Sequence, residues 1–384
     1  MQLRPLPVPA GPAAATALPA LREALTGGAA VLPYAAGGQP PHVADSAVPD
    51  AGTALVVSTS GSTGVPKLAM LPATALAASA AATHERLGGP GTWLLAMPPH
   101  HIAGVQVLLR CVSAGTEPAF VDLTDGFTAR GFTDAAQALT GRRRYTALVP
   151  TQLRRLLDVP TATAALAALD GVLVGGAATP AGLLDRARSA GITAVTTYGM
   201  SETAGGCVYD GVPFSCSAVR VDDEGRIHLG GETLASGYLG RPALTERSFH
   251  TDDDGTRWFR TDDTGHVDGD GRWHVDGRLD DVIVTGGLKV APRLVEEALT
   301  ALPEVAEAVV VGTPEEQWGQ AVSAALVLLD GAPTPEVGDL RGRLRGILPD
   351  HALPRRVVTV RSLPLRGPGK PDRAAVASLF GPEK

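Results

Sequence analysis

The chain has 384 residues, a formal net charge of −7 and a hydrophobic fraction of 44%. This length predicts two or three domains, and the hydrophobic fraction is sufficient for large cores. The acidic balance argues against a nucleic-acid-binding protein, which usually presents a basic surface, so we expect no nucleic-acid partner.

The cysteine content indicates free thiols. Cys111, Cys207 and Cys216 are odd in number and lack CxxC spacing, which argues against a disulfide framework or a zinc site. The first residues are interrupted by prolines and lack the apolar core of a signal peptide. No run approaches the roughly 20 apolar residues of a membrane span. We therefore expect a cytoplasmic protein without a membrane span.

Strand and helix patterns alternate from about residue 53 to residue 200. The predicted strands are 54–57, 93–97, 118–121, 146–149, 171–174 and 193–197. The predicted helices are 73–87, 102–112, 133–139, 151–157 and 181–190. Such alternation is typical of a mostly parallel α/β sheet, which binds ligands at the carboxyl ends of its strands.

The pattern changes after residue 207. Short alternating runs separated by turn signals predict antiparallel β structure between about 207 and 278. The last hundred residues predict a small α+β domain, with strands at 282–285, 306–312, 321–328 and 356–360 and helices at 294–302, 336–347 and 372–379. We predict an α/β protein with a large N-terminal domain (1–279), a small C-terminal domain (280–384) and a hinge at Asp280.

Lysine occurs at only four positions, and three of them, Lys67, Lys289 and Lys370, lie in glycine-rich or glycine/proline-rich loops. The loop at 58–67, STSGSTGVPK, follows an apolar strand, and its hydroxyls, glycines and ammonium match the acceptors of a polyphosphate. A Walker-type P-loop requires Gly before the lysine and Ser or Thr after it, whereas Pro66 and Leu68 stand there. A P-loop enzyme is therefore disfavoured, and a flexible turn without a ligand is the structural alternative.

The 58–67 loop resembles the phosphate loop of the adenylate-forming superfamily, which includes acyl- and aryl-CoA ligases, luciferases and peptide-synthetase adenylation domains. Other segments resemble further motifs of this family in the same order: LVGGAA (173–178), YGMSE (198–202), FRTDD (259–263), GRLDD (277–281), GGLK (286–289) and PLRGPGK (364–370).

The resemblance implies an acid–CoA ligase that forms an acyl-adenylate from ATP and then a thioester with coenzyme A. Lys370, Glu202 and Ser201 would be catalytic, with Glu202 binding Mg²⁺. The implied ATP or AMP contacts are Thr59, Ser60, Gly61, Ser62, Thr63, Gly64, Lys67, Gly176, Ala177, Ala178, Tyr198, Gly199, Met200, Asp263 and Arg278. Asp280, Gly286, Gly287 and Lys289 would serve the hinge and the CoA site.

Four of these residues also have a purely structural interpretation. Glu202 could cap a short helix, Asp263 could be a turn residue, and Arg278 could form a surface ion pair. Lys370 could be a solvated loop lysine. Asp262 and Ala178 depart from the commonest family residues at their positions without removing a contact group.

The acid substrate is expected to bind near His100, His101, Arg110 and Gly175. The short chain, HHIAG (100–104) and GGLKV (286–290) most resemble the members that act on o-succinylbenzoate, an aromatic dicarboxylate of menaquinone biosynthesis. Arg110 is our candidate for the second carboxylate. The alternatives are another aryl or short acyl acid, a carrier-protein acceptor instead of CoA, and a nucleotide-binding relative without catalysis. The oligomeric state is left open, a homodimer included.

Overall fold

The computed structural model describes residues 2–59, 67–366 and 370–381, and the chain divides into two compact units. The first unit comprises residues 1–220 and 228–261, and the second comprises residues 221–227 and 262–384. The predicted domains, 1–279 and 280–384, are defined by a hinge movement at Asp280, and this division stays a prediction.

The strands of the described residues are β1 Leu3–Val8, β2 Ala30–Ala35, β3 Thr53–Thr59, β4 Lys67–Pro72, β5 Thr92–Leu95, β6 Ala119–Phe120, β7 Arg144–Leu148, β8 Gly171–Val174, β9 Ala194–Met200, β10 Gly205–Tyr209, β11 Val212–Pro213, β12 Ser217–Val221, β13 Arg226–Gly231, β14 Gly237–Tyr238, β15 Phe249–Thr251, β16 Arg257–Val267, β17 Trp273–Arg278, β18 Ile283–Thr285, β19 Leu288–Val290, β20 Val305–Glu315, β21 Gly319–Leu328, β22 Arg356–Thr359, β23 Leu365–Arg366 and β24 Lys370–Pro371. The α-helices are α1 Leu18–Leu25, α2 Ala73–Arg86, α3 Ile102–Ala114, α4 Ala129–Ala138, α5 Pro150–Leu157, α6 Pro160–Ala167, α7 Ala181–Ser189, α8 Pro242–Ser248, α9 Pro292–Thr300, α10 Val337–Leu344 and α11 Arg373–Ser378.

A seven-stranded sheet forms the centre of the first unit. Its order is β11-β10-β9-β8-β7-β5-β6, and the five strands from β9 to β6 are parallel. Buried side chains such as Leu94, Phe132 and Leu148 pack between this sheet and its helices. The predicted α/β class is confirmed, and β8 has the predicted bounds. Helix α6 was not predicted, although Pro160 occupies a favoured first-turn position.

A second sheet, ordered β1-β2-β3-β4-β14, carries the phosphate-loop candidate. Strands β1, β2 and β3 are parallel, but β3 and β4 are antiparallel, and their register ends at Thr59 opposite Lys67. Strand β3 is therefore parallel to β2, as the sequence indicated, and antiparallel to β4, which the sequence did not indicate. The apolar run before Pro72 is buried throughout and lacks a strand period, so β4 gave no distinct sequence signal.

The predicted antiparallel region is a sheet ordered β12-β13-β16-β15, with β17 beside β16. Strands β13 and β16 contain residues of both units. The second unit also contains the hairpin β18–β19 and the sheet β20-β21-β22. Two apolar clusters pack on this sheet, one around Val310 and Leu326 and the other around Val309 and Phe380. Among the described residues, none of the helices has the length and hydropathy that a bilayer crossing requires.

Candidate active site

Glu202 lies in a tightly held turn of the first unit. Residues Ser201–Thr203 form one turn of 3₁₀ helix directly after β9. The next residue, Ala204, has φ of 52°, a left-handed conformation that non-glycine residues rarely adopt. Its carbonyl accepts hydrogen bonds from Ser79 Oγ (3.1 Å) and Gln106 Nε2 (2.5 Å). Such over-determined backbone strain is typical of functional sites.

The carboxylate of Glu202 lies beside Tyr238. Glu202 is buried, and the Tyr238 hydroxyl donates a 2.8 Å hydrogen bond to Glu202 Oε1. The Lys67 ammonium lies over the Tyr238 ring, 5.6 Å from its centroid. The structure therefore brings two proposed ligands to one tyrosine: Lys67 lies over its ring, and Glu202 accepts from its hydroxyl.

The adenine-side candidates follow neighbouring parallel strands. Gly175 comes directly after β8, while Tyr198 and Gly199 lie in the last part of β9. Gly199 has φ of 154°, and a Cβ there would lie 2.2 Å from the Gly205 carbonyl oxygen. Only glycine allows β9 and β10 to approach so closely. Both segments therefore lie where ligands bind in α/β sheets.

The histidine pair precedes α3. The ring centroids of His100 and His101 are 4.4 Å apart, and His101 is the residue immediately before the helix. Burial lowers the pKa of His100. Gly104 is required in the first turn of α3, because a Cβ there would lie 2.2 Å from the Pro98 carbonyl oxygen.

Arg110 is buried on the same helix. Its guanidinium lies over the Trp93 ring, 4.8 Å from the centroid, and donates a long 3.4 Å hydrogen bond to the Tyr209 hydroxyl. Its Nε is buried without a hydrogen-bond partner. No carboxylate among residues 2–59, 67–366 and 370–381 forms an ion pair with it, and burial lowers its pKa. Nearby, burial and the Arg110 charge lower the pKa of His84 to about 4.

The donor set fits a magnesium nucleotide rather than a resident metal cage. In the part of the chain that the structure describes, no group of three or more His, Cys, Asp or Glu side chains could hold a metal ion. Mg²⁺ bound to nucleotides usually takes one or two protein carboxylates, with phosphates and water as its other ligands. The buried carboxylate of Glu202 matches that requirement.

In the second unit, Asp263 and Arg278 face each other across β16 and β17. Asp263 is buried, and its Oδ1 lies 3.6 Å from Arg278 Nη1. Arg278 also donates two hydrogen bonds to Asp280, at 2.8 and 2.9 Å. These bonds raise the pKa of Arg278. Burial alone would raise the pKa of Asp280, but the bonds from Arg278 keep it below its usual value. Arg278 therefore forms ion pairs with Asp263 and Asp280, and its contact with the nucleotide stays a prediction.

Gly286 and Gly287 form the two-residue turn between β18 and β19. Both have positive φ (57° and 78°), as type I′ hairpin turns require. A Cβ on Gly286 would lie 2.7 Å from the Trp318 ring. This turn borders a cavity of about 330 Å³ lined by Thr285, Gly286, Leu288, Trp318, Arg341, Arg345, Asp350, His351 and Arg355. Three arginines against one aspartate make it suitable for an anionic ligand.

The remaining predicted residues lie at the ends of strands, on a strand or in the segments that follow one. Lys370 begins β24 and is exposed, and Lys289 is exposed on β19. Thr59 ends β3, Met200 ends β9, and Gly176, Ala177 and Ala178 follow β8. Ser60, Gly61, Ser62, Thr63 and Gly64 lie outside the described residues, as does the loop at 367–369.

Sequence reasoning missed the residues that hold the site together. Tyr238, Ser79 and Gln106 are 36 to 125 residues distant from their partners, and no spacing pattern links them. Trp318 could have been noticed as an aromatic residue in a turn, before Gly319.

Two family models match the chain. The AMP-binding enzyme model matches residues 12–239, and the AMP-binding enzyme C-terminal domain matches residues 294–370. The chain belongs to the AMP-binding enzyme family, and it is an adenylate-forming acid–CoA ligase.

The chain is also similar to individual proteins of known or assigned activity. The chain is 47% identical to a probable 2-succinylbenzoate–CoA ligase of Mycobacterium tuberculosis, over 99% of both chains. It is 32% identical to a feruloyl-CoA synthase of an Amycolatopsis species, over 85% of this chain and 70% of that one. It also resembles the structure of o-succinylbenzoate CoA synthetase (MenE) from Bacillus subtilis with its acyl-adenylate, at 26% identity and a TM-score of 0.71, over 86% of this chain and 70% of that one. The same B. subtilis enzyme has been solved with ATP and a magnesium ion.

Proposed function

We propose that this protein converts 2-succinylbenzoate, ATP and CoA to 2-succinylbenzoyl-CoA, AMP and pyrophosphate. One observation carries the choice of acid: the 47% identity to a probable 2-succinylbenzoate–CoA ligase extends over 99% of both chains. A match of this extent spans the segments that carry the pocket candidates as well as those that carry the nucleotide motifs.

Adenylation requires that negative charge be neutralised while the substrate carboxylate attacks the α-phosphate and expels pyrophosphate. Lys67 would bind the β- and γ-phosphates, and Glu202 would bind Mg²⁺. When bound, Mg²⁺ supplies charge neutralisation at the phosphate oxygens. Tyr198 would stack on adenine, and Asp263 would accept hydrogen bonds from both ribose hydroxyls. Lys370 would bridge the substrate carboxylate and the α-phosphate.

Arg110 supports a dicarboxylate substrate. A buried guanidinium without a carboxylate partner among the described residues is costly unless an anion compensates it. Arg110 lies one helical turn beyond Gln106, which contacts Ala204 beside Glu202. One turn advances about 5.4 Å along the helix axis, so Arg110 and Gln106 lie on the same side of α3. The reacting carboxylate would lie on the Glu202 side, near His101, and the second would reach Arg110.

The cavity beside Gly286 supports CoA as the acceptor. Arg355 stacks on Trp318, with its guanidinium carbon 5.1 Å from the ring centroid. The Arg345 and Arg355 guanidinium groups are suited to the phosphates of CoA, whereas Arg341 donates to the carbonyls of Leu353 and Pro354. Arg356, by contrast, donates to the Phe380 carbonyl and has a structural role.

A second candidate is an aryl-CoA ligase for a monocarboxylic acid, which the similarity to feruloyl-CoA synthase favours. Transfer to a carrier protein instead of CoA stays a further alternative. We also propose that the enzyme acts in the cytoplasm, where ATP and CoA are available, and size-exclusion chromatography would test for a homodimer.

The test is a comparison of acids with the purified protein. We expect CoA-dependent thioester formation from 2-succinylbenzoate at a kcat/KM at least tenfold above that for ferulate and benzoate. Preference for a monocarboxylic acid would contradict the proposed substrate. Pyrophosphate release without thioester would indicate a carrier-protein acceptor.

A further inference from the structure

Tyr238 is bonded directly to the proposed metal ligand. It lies on β14, the edge strand that pairs with β4, and its side chain is buried. Its hydroxyl donates to Glu202 Oε1 at 2.8 Å. A hydrogen bond of this length to a carboxylate is charge-assisted and directional, so it fixes the rotation of the acceptor.

The ring of Tyr238 is itself held in place. It packs edge-on against Phe249, with centroids 5.7 Å apart, and Lys67 lies over it at 5.6 Å. The Tyr238 amide donates to Thr245 Oγ1 at 2.9 Å. These contacts leave the hydroxyl little freedom to leave Glu202.

The backbone before Tyr238 is fixed to the same turn. The Ala235 amide donates to the Glu202 carbonyl at 2.8 Å. Arg257 donates to the carbonyls of Ala235 (2.5 Å) and Ser236 (2.7 Å). Burial lowers the pKa of Arg257. The segment therefore holds both the main chain and the side chain of Glu202.

We propose that Tyr238 is a positioning residue that orients the Glu202 carboxylate toward the divalent cation of bound nucleotide. Its ring also connects this carboxylate with the Lys67 ammonium, which lies over the ring. The inference rests on the proposed function for the role of Glu202. It assigns no chemistry to Tyr238 itself, which acts through the carboxylate.

The test measures ATP affinity by calorimetry with Mg²⁺ and with EDTA. Tyr238→Phe keeps the ring and removes the hydroxyl. We expect the gain in ATP affinity from Mg²⁺ to fall about tenfold, the loss that accompanies one hydrogen bond to a charged group, while metal-free affinity is unchanged. Glu202→Gln should abolish the gain in ATP affinity from Mg²⁺. The double variant of Tyr238→Phe and Glu202→Gln should show the same ATP affinities as Glu202→Gln alone.

Tyr145→Phe is the matched control, because the buried Tyr145 also donates from its hydroxyl, to the carbonyls of Leu87 and Gly89 at 3.0 Å. It should leave both ATP affinities unchanged. Unchanged Mg²⁺ dependence in Tyr238→Phe would overturn the inference, as would an equal loss with and without metal. If Mg²⁺ did not increase the ATP affinity of the wild type, the proposed function itself would be refuted.

Discussion

Replacing Arg110 with methionine separates its proposed binding role from a structural one. If Arg110 belonged to a structural ion pair, its removal would cost roughly 3–5 kcal/mol of stability, because a buried partner would be left charged. Among the described residues no such carboxylate exists, so that cost should be absent. The two interactions lost are the contact with Trp93 and the long hydrogen bond to Tyr209.

The expected magnitudes follow from these contacts. The cation–π contact contributes about 0.5–2 kcal/mol, and the 3.4 Å hydrogen bond at most about 1 kcal/mol. Removing a buried charge recovers a desolvation cost of several kcal/mol. The recovered desolvation offsets the lost contacts, so we expect the free energy of unfolding to decrease by no more than about 1 kcal/mol. Loss of a buried contact to a substrate carboxylate should lower kcat/KM by roughly 30- to 1000-fold, which corresponds to about 2–4 kcal/mol.

The assay compares 2-succinylbenzoate with an analogue that lacks the second carboxylate. Arg110→Met should lose activity only with the dicarboxylate. Arg86→Met is the control, because the exposed Arg86 forms one ion pair, with the half-buried Asp210, that should contribute little. Destabilisation of Arg110→Met by 3 kcal/mol or more, or an equal loss with both acids, would refute the assignment.

Three further predictions concern Lys370, the cavity and His84. Lys370→Ala should lower pyrophosphate release by roughly 100- to 1000-fold and spare thioester formation from presynthesised acyl-adenylate. Arg355→Ala should raise the KM for CoA about tenfold and leave CoA-free pyrophosphate release unchanged. Because the pKa of His84 is lowered to about 4 in the folded protein against 6.5 when unfolded, the unfolded state binds the proton first, so stability falls as pH decreases from 6.5 towards 4. Urea unfolding measures the decrease in the free energy of unfolding between about pH 7.5 and pH 4.5. We expect this decrease to be about 2.5 kcal/mol smaller in His84→Gln than in the wild type.

Each of these predictions has its own contradicting result. Equal loss of both half-reactions would reject the role of Lys370. Arg343→Ala is the control for Arg355, because Arg343 pairs with Glu304 at an exposed position; equal effects of the two variants on CoA would reject the cavity as its site. An unchanged pH dependence in His84→Gln would mean that His84 is not held neutral by burial.

Local sequence patterns predicted the fold class and supplied the candidate residues of the site. The strand at 171–174 and helix α3 follow from apolar runs and periodicity, and Glu202 and Asp263 are candidates because each lies in a compact motif. Strand β4 was missed because a fully buried run has no strand period.

The parts that sequence could not predict depend on long-range packing. Tyr238 reaches Glu202 only because β14 pairs with β4, and Gln106 reaches the Ala204 carbonyl only because α3 packs near β10. The burial of Arg110 depends likewise on Trp93 and Tyr209, which lie on different strands. These contacts join distant positions and leave no local signal.

The most direct test of the account is a two-stage assay of the purified wild-type protein with ATP, Mg²⁺ and 2-succinylbenzoate. Pyrophosphate would be measured first, and thioester after CoA is added. We expect pyrophosphate release that depends on the acid, followed by CoA-dependent formation of 2-succinylbenzoyl-CoA. Absence of both products with this acid, together with turnover of a monocarboxylic aryl acid, would contradict the proposed substrate.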